Sequence, residues 1–172
     1  MDPETLRALQ APLKQRYRDE PATAIVTLSA SGVLGEGIAC KVDTGRSLVE
    51  AGLHPASGGS GLQACSGDML LEALVACAGV TLRAVATAIG VELRGGTVCA
   101  EGDLDFRGTL GVDKETRVGF QRIRLGFELD TDASEEQLDT LLRLTERYCV
   151  VLQTLRTPPE FNLSRARSAP PS

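Results

Sequence analysis

The side chains that could carry redox chemistry are five cysteines, Cys40, Cys65, Cys77, Cys99 and Cys149, with a single histidine, His54. The cysteine count is odd and no C-x-x-C pair occurs. Zinc sites want close ligand pairs and usually histidine partners, yet the nearest pair, Cys65 and Cys77, is twelve residues apart. A structural metal site and a disulfide scaffold are therefore poor readings. One or two redox-active thiols among inert ones fit better. Sparse histidine also disfavours Ser-His-Asp hydrolysis unless His54 serves. Taken one at a time, each cysteine is first a small hydrophobe.

The elements that must position these thiols start with Met69 to Ile89, which holds Cys77 near its middle. Apolar residues fall all round its helical wheel, which predicts a helix buried on every side. Glu72 and Arg83 interrupt it, leaving an uncharged run shorter than the ~20 residues a bilayer span needs. It therefore reads as a central core helix with Ser66 or Asp68 as its cap. Cys149 lies on a second helix, predicted over Ser134 to Arg156. There Ser134 and Gln137 form a capping box, and Leu138, Leu141, Leu142, Cys149, Leu152 and Leu155 form the buried stripe. Pro158-Pro159 ends that helix.

Upstream, Leu6, Leu9, Leu13 and Tyr17 predict an amphipathic helix, which Pro12 kinks or splits. Ala22–Ser29 and Gly37–Asp43 read as a hairpin turning at Ser31-Gly32 and Gly35. Arg46 to Leu53 is a short strand or a helical turn. Leu53 to Gly61 is a Pro- and Gly-rich loop. Gly95-Gly96 closes the helical region. Thr97–Phe106 and Arg117–Leu129 then alternate as a second hairpin, with Glu101, Asp103 and Asp105 on one outer face and Arg122 and Arg124 on the other. Opposite-charge cross-strand pairs of this kind contribute ~0.2–1 kcal/mol each. Glu160 to Leu163 reads as a short final strand. Strand pairs separated by helices give an α+β fold. The predicted organisation is a single domain over 1–163, with a helical extension at 1–20 and a disordered tail at 164–172.

Composition narrows the function. The chain has 172 residues, 42% hydrophobic and 24% charged, with a net charge of -5 and 3% aromatics. The acidic balance and scarce aromatics argue against a nucleic-acid partner. The first residues show no basic region followed by an apolar run, so a cytoplasmic setting with reduced thiols is expected.

Two motifs resemble the OsmC/Ohr family of thiol-dependent peroxidases. The first runs from Gly58-Gly-Ser-Gly through Asp68-Met-Leu-Leu-Glu-Ala-Leu-Val-Ala-Cys77 to Leu82. It is similar to the family's Gly-rich lead-in, acidic residue, apolar stretch and reactive cysteine. The second, Glu146-Arg-Tyr-Cys149 to Leu155, resembles the second-cysteine helix. The resemblance covers roughly Ala22 to Leu163. It implies antiparallel sheets on two long central helices and an intertwined homodimer with sites at the interface. It also implies reduction of organic hydroperoxides without a cofactor or metal, by a Cys77 thiolate and a resolving Cys149, with an external lipoyl-type dithiol as reductant. Cys40 and Cys99 stay structural, and Cys65 is an alternative resolving thiol. The alternative function is a non-catalytic relative that binds an apolar ligand or senses thiol oxidation.

There are departures from the family pattern. Val150 stands where the family commonly has proline after the second cysteine, so the helix is expected to continue unbroken past Cys149. The family's arginine has no evident counterpart. The lead-in offers His54, with Arg46 further back. A thiol in an apolar setting needs help to ionise, and Cys77 sits far from its own helix N-terminus. Activation is therefore expected from His54, Arg46 or a second subunit. Asp68 lies nine residues before Cys77, ~13 Å along a helix, so it acts by orienting a cation or across a dimer interface.

Overall fold

The computed structural model describes residues 49–111 and 113–165, the backbone of the strand residues 31–34, 39–43 and 48, and isolated positions among the first 19. The expected strand at Ala22–Ser29, most of the expected N-terminal helix and nearly all of the tail lie outside the described residues.

Strands β1 (Ser31–Leu34), β2 (Ala39–Asp43), β3 (Leu48–Gly52) and β4 (Ala64–Cys65) form one sheet in that order. Its pairs are antiparallel except β3–β4, which is parallel. Ser31-Gly32, read above as a turn, is strand. The Arg46–Leu53 ambiguity resolves in favour of a strand at 48–52. A single 3-10 turn at Pro55–Ser57 ends on Gly58 at φ 94, the left-handed region that favours glycine.

Helix α1 spans Ser66–Ile89. Neither Ser66 nor Asp68 caps it. Cys65 occupies the cap position without a side-chain bond, because the chain enters α1 directly from β4. The helix stops at Gly90 (φ 73), whose N–H donates to the Ala86 carbonyl, and not at Gly95-Gly96, which open the next strand.

β5 (Gly95–Leu104) and β6 (Phe120–Asp130) form the second, antiparallel sheet. Glu101 lies opposite Arg124, and Asp103 opposite Arg122. Arg124 reaches both Glu101 (3.0 Å) and Asp103 (2.5 Å). The charged face is thus a solvated sheet surface, as the alternation predicts, and such exposed pairs contribute ~0–1 kcal/mol. Phe106 leaves the strand: Asp105 accepts from the Arg107 N–H and starts a short helix, α2 (Phe106–Thr109).

Helix α3 (Glu135–Tyr148) opens on the predicted capping box. A separate helix, α4 (Val150–Arg156), follows. Residues 160–163 are not strand.

α1 packs on α3, α4 and the β5–β6 sheet. Its buried residues, Leu74, Ala78, Leu82, Val85 and Ala86, form one stripe. The expectation of burial on every side fails within a single chain: Ala73, Ala76 and Val80 on the other faces are exposed, Val80 by 73%. By length and composition α1 could cross a membrane, but its apolar stripe is spent on protein contacts. Among the described residues, the four-stranded sheet meets the remainder chiefly where β4 feeds α1 and where the Pro55–Ser57 turn meets α2.

Candidate functional site

Cys77 and Cys149 meet beneath the β5–β6 sheet. Cys149 is fully buried with Leu74 and Ala78, and Cys77 packs against this cluster together with Val98, Ala100, Ile123 and Val151. Both are free thiols, near enough for each to shift the other's ionisation.

The second helix is broken at this point, contrary to expectation. Cys149 ends α3 and caps α4 in an extended conformation, φ -72 and ψ 107. Its N–H still donates to the Thr145 carbonyl at 2.9 Å, and its carbonyl accepts from Gln153 N–H at 2.9 Å. The first-turn amides of α4 have no carbonyl to bond within the helix, as at any helix start. Those of Val150 and Val151 act to lower Cys77, and those of Leu152 and Val151 to lower Cys149.

The two thiols are shifted in opposite directions. Burial works to raise the Cys77 thiol. It is outweighed by the Val151 N–H, the Cys149 thiol, the Thr81 hydroxyl and the Val150 N–H, so Cys77 is held below its ordinary value. Burial pushes Cys149 up, and the neighbouring Cys77 adds to this against the Leu152 and Val151 amides. The two shifts run in opposite directions, so Cys77 is the more readily ionised of the pair. Among the described residues no charged side chain is among the groups acting on Cys77, and backbone N–H groups of the facing helix help to lower it. Sequence reasoning looked along Cys77's own helix and missed these donors. Only Thr81 carried a signal, since it lies four residues on and shares a helix face with Cys77.

The other candidates lie elsewhere. His54 accepts from the Ala56 N–H through Nδ1 (3.0 Å) and stacks on Phe106 with ring centroids 5.1 Å apart. It pins the loop to α2 and is not among the groups that shift Cys77. Asp68 is exposed in the first turn of α1, in a shallow groove with Leu71, Glu72, Val75, Ala76 and Ala100, which Cys77 does not line. Arg46 lies outside the described residues. Cys65 is half-buried at the start of α1, and Cys99 is exposed on β5 with its thiol 3.8 Å from the Gly126 carbonyl. Among the described residues no cluster of His, Cys, Asp and Glu could hold a metal ion.

The model of the OsmC-like protein family matches residues 59–164, which span α1 with Cys77, the β5–β6 sheet and both halves of the second helix. The chain belongs to the OsmC-like family. Among solved structures, this OsmC-like chain resembles an OsmC-like protein from Mycoplasma pneumoniae (18% identity, TM-score 0.64, covering 77% of this chain and 89% of that one). It also resembles an organic hydroperoxide resistance protein from Elizabethkingia anophelis (18%, TM-score 0.62, 78% and 91%). A third is an organic hydroperoxide resistance protein OsmC from Legionella pneumophila (16%, TM-score 0.61, 77% and 91%). At these identities the likeness shows the α+β OsmC-like fold alone. The comparison with curated proteins gave no match.

The break without proline has a testable consequence. Val150 is the first residue of α4, where proline is favoured because its missing N–H is not needed by the helix. The extended Cys149 suits a residue preceding proline. Val150→Pro should therefore cost the fold little or nothing, while deleting the Val150 N–H that helps to lower Cys77 and so moving that thiol back up. If the helix were continuous, the same change would cost ~3 kcal/mol or more.

Proposed function

We propose that this OsmC-like protein is a thiol-dependent peroxidase that reduces organic hydroperoxides, with Cys77 as the attacking thiolate and Cys149 as the resolving thiol. The observation that carries the reading is the polarised pair: a lowered Cys77 beside a raised Cys149, in a site walled by Val98, Ala100 and Ile123. Cys77 Sγ attacks the outer oxygen of the hydroperoxide, the O–O bond breaks, and the alcohol leaves with a proton. The product is a sulfenic acid on Cys77. Cys149 Sγ then attacks that sulfur, and its proton joins the departing hydroxyl as water. The resulting disulfide is reduced by an external dithiol, in keeping with a cytoplasmic setting. Apolar walls favour an organic hydroperoxide over hydrogen peroxide, which would have to leave water for no apolar gain.

The proposal includes a homodimer. α1 leaves Leu70, Val80 and Ile89 exposed on faces that no described element covers, and a second copy supplies matching apolar surface. Asp68, with Glu72 beside it, lies on such a face and is placed to meet that copy. The test is steady-state turnover: a preparation that runs as a dimer by sedimentation should oxidise a dithiol in step with added organic hydroperoxide. Absence of turnover by fully reduced protein would leave the non-catalytic binder or thiol sensor as the reading.

A further inference from the structure

A cavity of about 400 Å³ lies between β6 and the α3–α4 junction, and Cys149 lines it while Cys77 does not. Thr145, one helical turn before Cys149, lines it too. Thr145 is only 2% exposed, and its hydroxyl is the one buried side-chain polar atom without a hydrogen-bond partner among the described residues. Such a group in a native fold asks for an explanation. A helix-interior threonine commonly bonds the carbonyl four residues back, as Thr87 does to Arg83 at 2.8 Å. Thr145 has the same option and does not take it. The Cys149 N–H donates to the Thr145 carbonyl at 2.9 Å, so the two residues keep the i, i+4 register of one helix face. A helical side chain leans back over the turn that precedes it, which carries the Cys149 thiol towards the turn of Thr145. Threonine in a helix divides between two χ1 settings, so a side-chain rotation re-aims the hydroxyl with the backbone at rest. In the reduced pair Cys149 acts on Cys77 as a hydrogen-bond donor, and its neutral sulfur is a weak acceptor. That accounts for a hydroxyl with nothing to bond in this state.

We infer that Thr145 is the hydrogen-bond donor to the resolving sulfur: once Cys77 is a sulfenic acid, the Thr145 hydroxyl turns to Cys149 Sγ and stabilises its thiolate for attack on Cys77. The inference rests on the proposed Cys77–Cys149 cycle. Cys149 begins as the harder thiol to ionise, because burial and the neighbouring Cys77 raise it. Oxidation of Cys77 removes that neighbour's charge, and the burial remains. The Cys149 proton must still leave before Sγ becomes nucleophilic. The S–S bond then forms, the S–O bond of the sulfenic acid breaks with its electron pair on oxygen, and the Cys149 proton joins the departing hydroxide as water. Cys149 is oxidised, the sulfenic sulfur is reduced, and Thr145 keeps its own proton throughout. No other side-chain hydroxyl lines the cavity. Its charged groups are Arg143 and Glu146 of α3 and Arg156 of α4, with Glu146 and Arg156 paired to each other. β6 presents only Leu125 and Phe127 there. In the cluster around Cys149, α1 contributes Cys77 as its titratable group, and β5 contributes Val98 and Ala100.

The test adds one equivalent of cumene hydroperoxide to fully reduced protein with no dithiol present. Intact mass after an acid quench separates sulfenic acid from disulfide at each time and gives the two rates. In Thr145→Val, which keeps the shape and removes the hydroxyl, conversion of sulfenic acid to disulfide should slow relative to sulfenic acid formation, on the order of tenfold or more near neutral pH. Thr145→Ala carries the same expectation. The loss should shrink as pH rises, because Cys149 then ionises unaided, so the pH profile of the resolving step moves to higher pH. Thr145→Ser keeps the hydroxyl and should resolve near the wild-type rate. A wild-type ratio of the two rates in Thr145→Val at every pH, or resolution by Thr145→Ser as slow as by Thr145→Val, overturns the inference and leaves the peroxidase reading intact. A wild-type protein that forms neither sulfenic acid nor disulfide overturns both.

Discussion

If the proposed cycle holds, replacing Cys77 by serine should abolish hydroperoxide reduction, and replacing Cys149 by serine should abolish steady-state turnover while sparing one round of reduction per chain. The asymmetry follows from the geometry. Cys77 is the thiol that the Val151 and Val150 amides and the Thr81 hydroxyl lower, while Cys149 is raised, so Cys77 is the better placed to attack as a thiolate. A serine hydroxyl there is too weak an acid for the same donors to ionise. Cys149 acts after the O–O bond has broken, and a serine in its place keeps a hydrogen-bond donor beside Cys77 but cannot form a disulfide. Cys149→Ser should therefore accumulate a sulfenic acid on Cys77, seen as a dimedone adduct after a single addition of peroxide. Full turnover by Cys149→Ser would remove Cys149 from the cycle and point to another resolving thiol, with Cys65 the first to test. The pH dependence has a fixed sign. The single-turnover rate rises with pH as Cys77 ionises and levels off below the range where an ordinary thiol would. Thr81→Val removes one lowering donor and should displace the profile to higher pH. A hydrogen bond to a charged group contributes ~1.5–3 kcal/mol, so the rate on the acidic side should fall by roughly tenfold or more, with the high-pH plateau retained.

Much of this arrangement is legible in the chain because the signals are local. The charge alternation of Thr97–Phe106 and Arg117–Leu129 yields the observed register, Glu101 on Arg124 and Asp103 on Arg122, since period-two patterns specify both face and partner. Ser134 and Gln137 mark a helix start because the capping box is a contact within four residues. The break at Cys149 is not legible. Val150 is compatible with a helix interior, and what holds Cys149 extended is the packing of its sulfur between Leu74, Ala78 and Cys77, residues more than seventy positions away. The Cys77 donors were missed for the same reason: helix-dipole reasoning runs along one helix, and here the useful N-terminus belongs to another. The uniform apolarity of α1 predicts burial on all sides. Within one chain it fills only the Leu74–Ala86 stripe. Leu142 likewise belongs to the stripe that the helical period predicts to be buried, and it is 36% exposed at the cavity beside Cys149. Amphipathic period gives the direction of a side chain but not whether anything covers it.

The contrast between those two faces of α1 sets the largest stability effect. Leu74 is 0% exposed and packs with Ala78 and Cys149. Leu74→Ala removes three carbon groups from a fully buried core position, so unfolding free energy should fall by ~2–5 kcal/mol. Against a total stability on the order of 5–15 kcal/mol, that is a large fraction. Leu74→Met, which conserves volume, should cost less than ~1.5 kcal/mol. Denaturant midpoints for the three proteins check this, and equal midpoints for Leu74→Ala and wild type would remove Leu74 from the site's scaffold. Val80 provides the opposite case. It is 73% exposed in the single chain, and a surface truncation there should change stability by no more than ~0.5 kcal/mol if the chain acts alone. If a second copy covers α1, Val80→Ala weakens that contact, and the loss grows as protein concentration falls, because the stability of a dimer depends on protomer concentration. Leu74→Ala lowers the midpoint at every concentration through the core; Val80→Ala lowers it in a concentration-dependent way only through a partner. Melting both variants at two concentrations thus separates what α1 does within the chain from what its outer face does between chains.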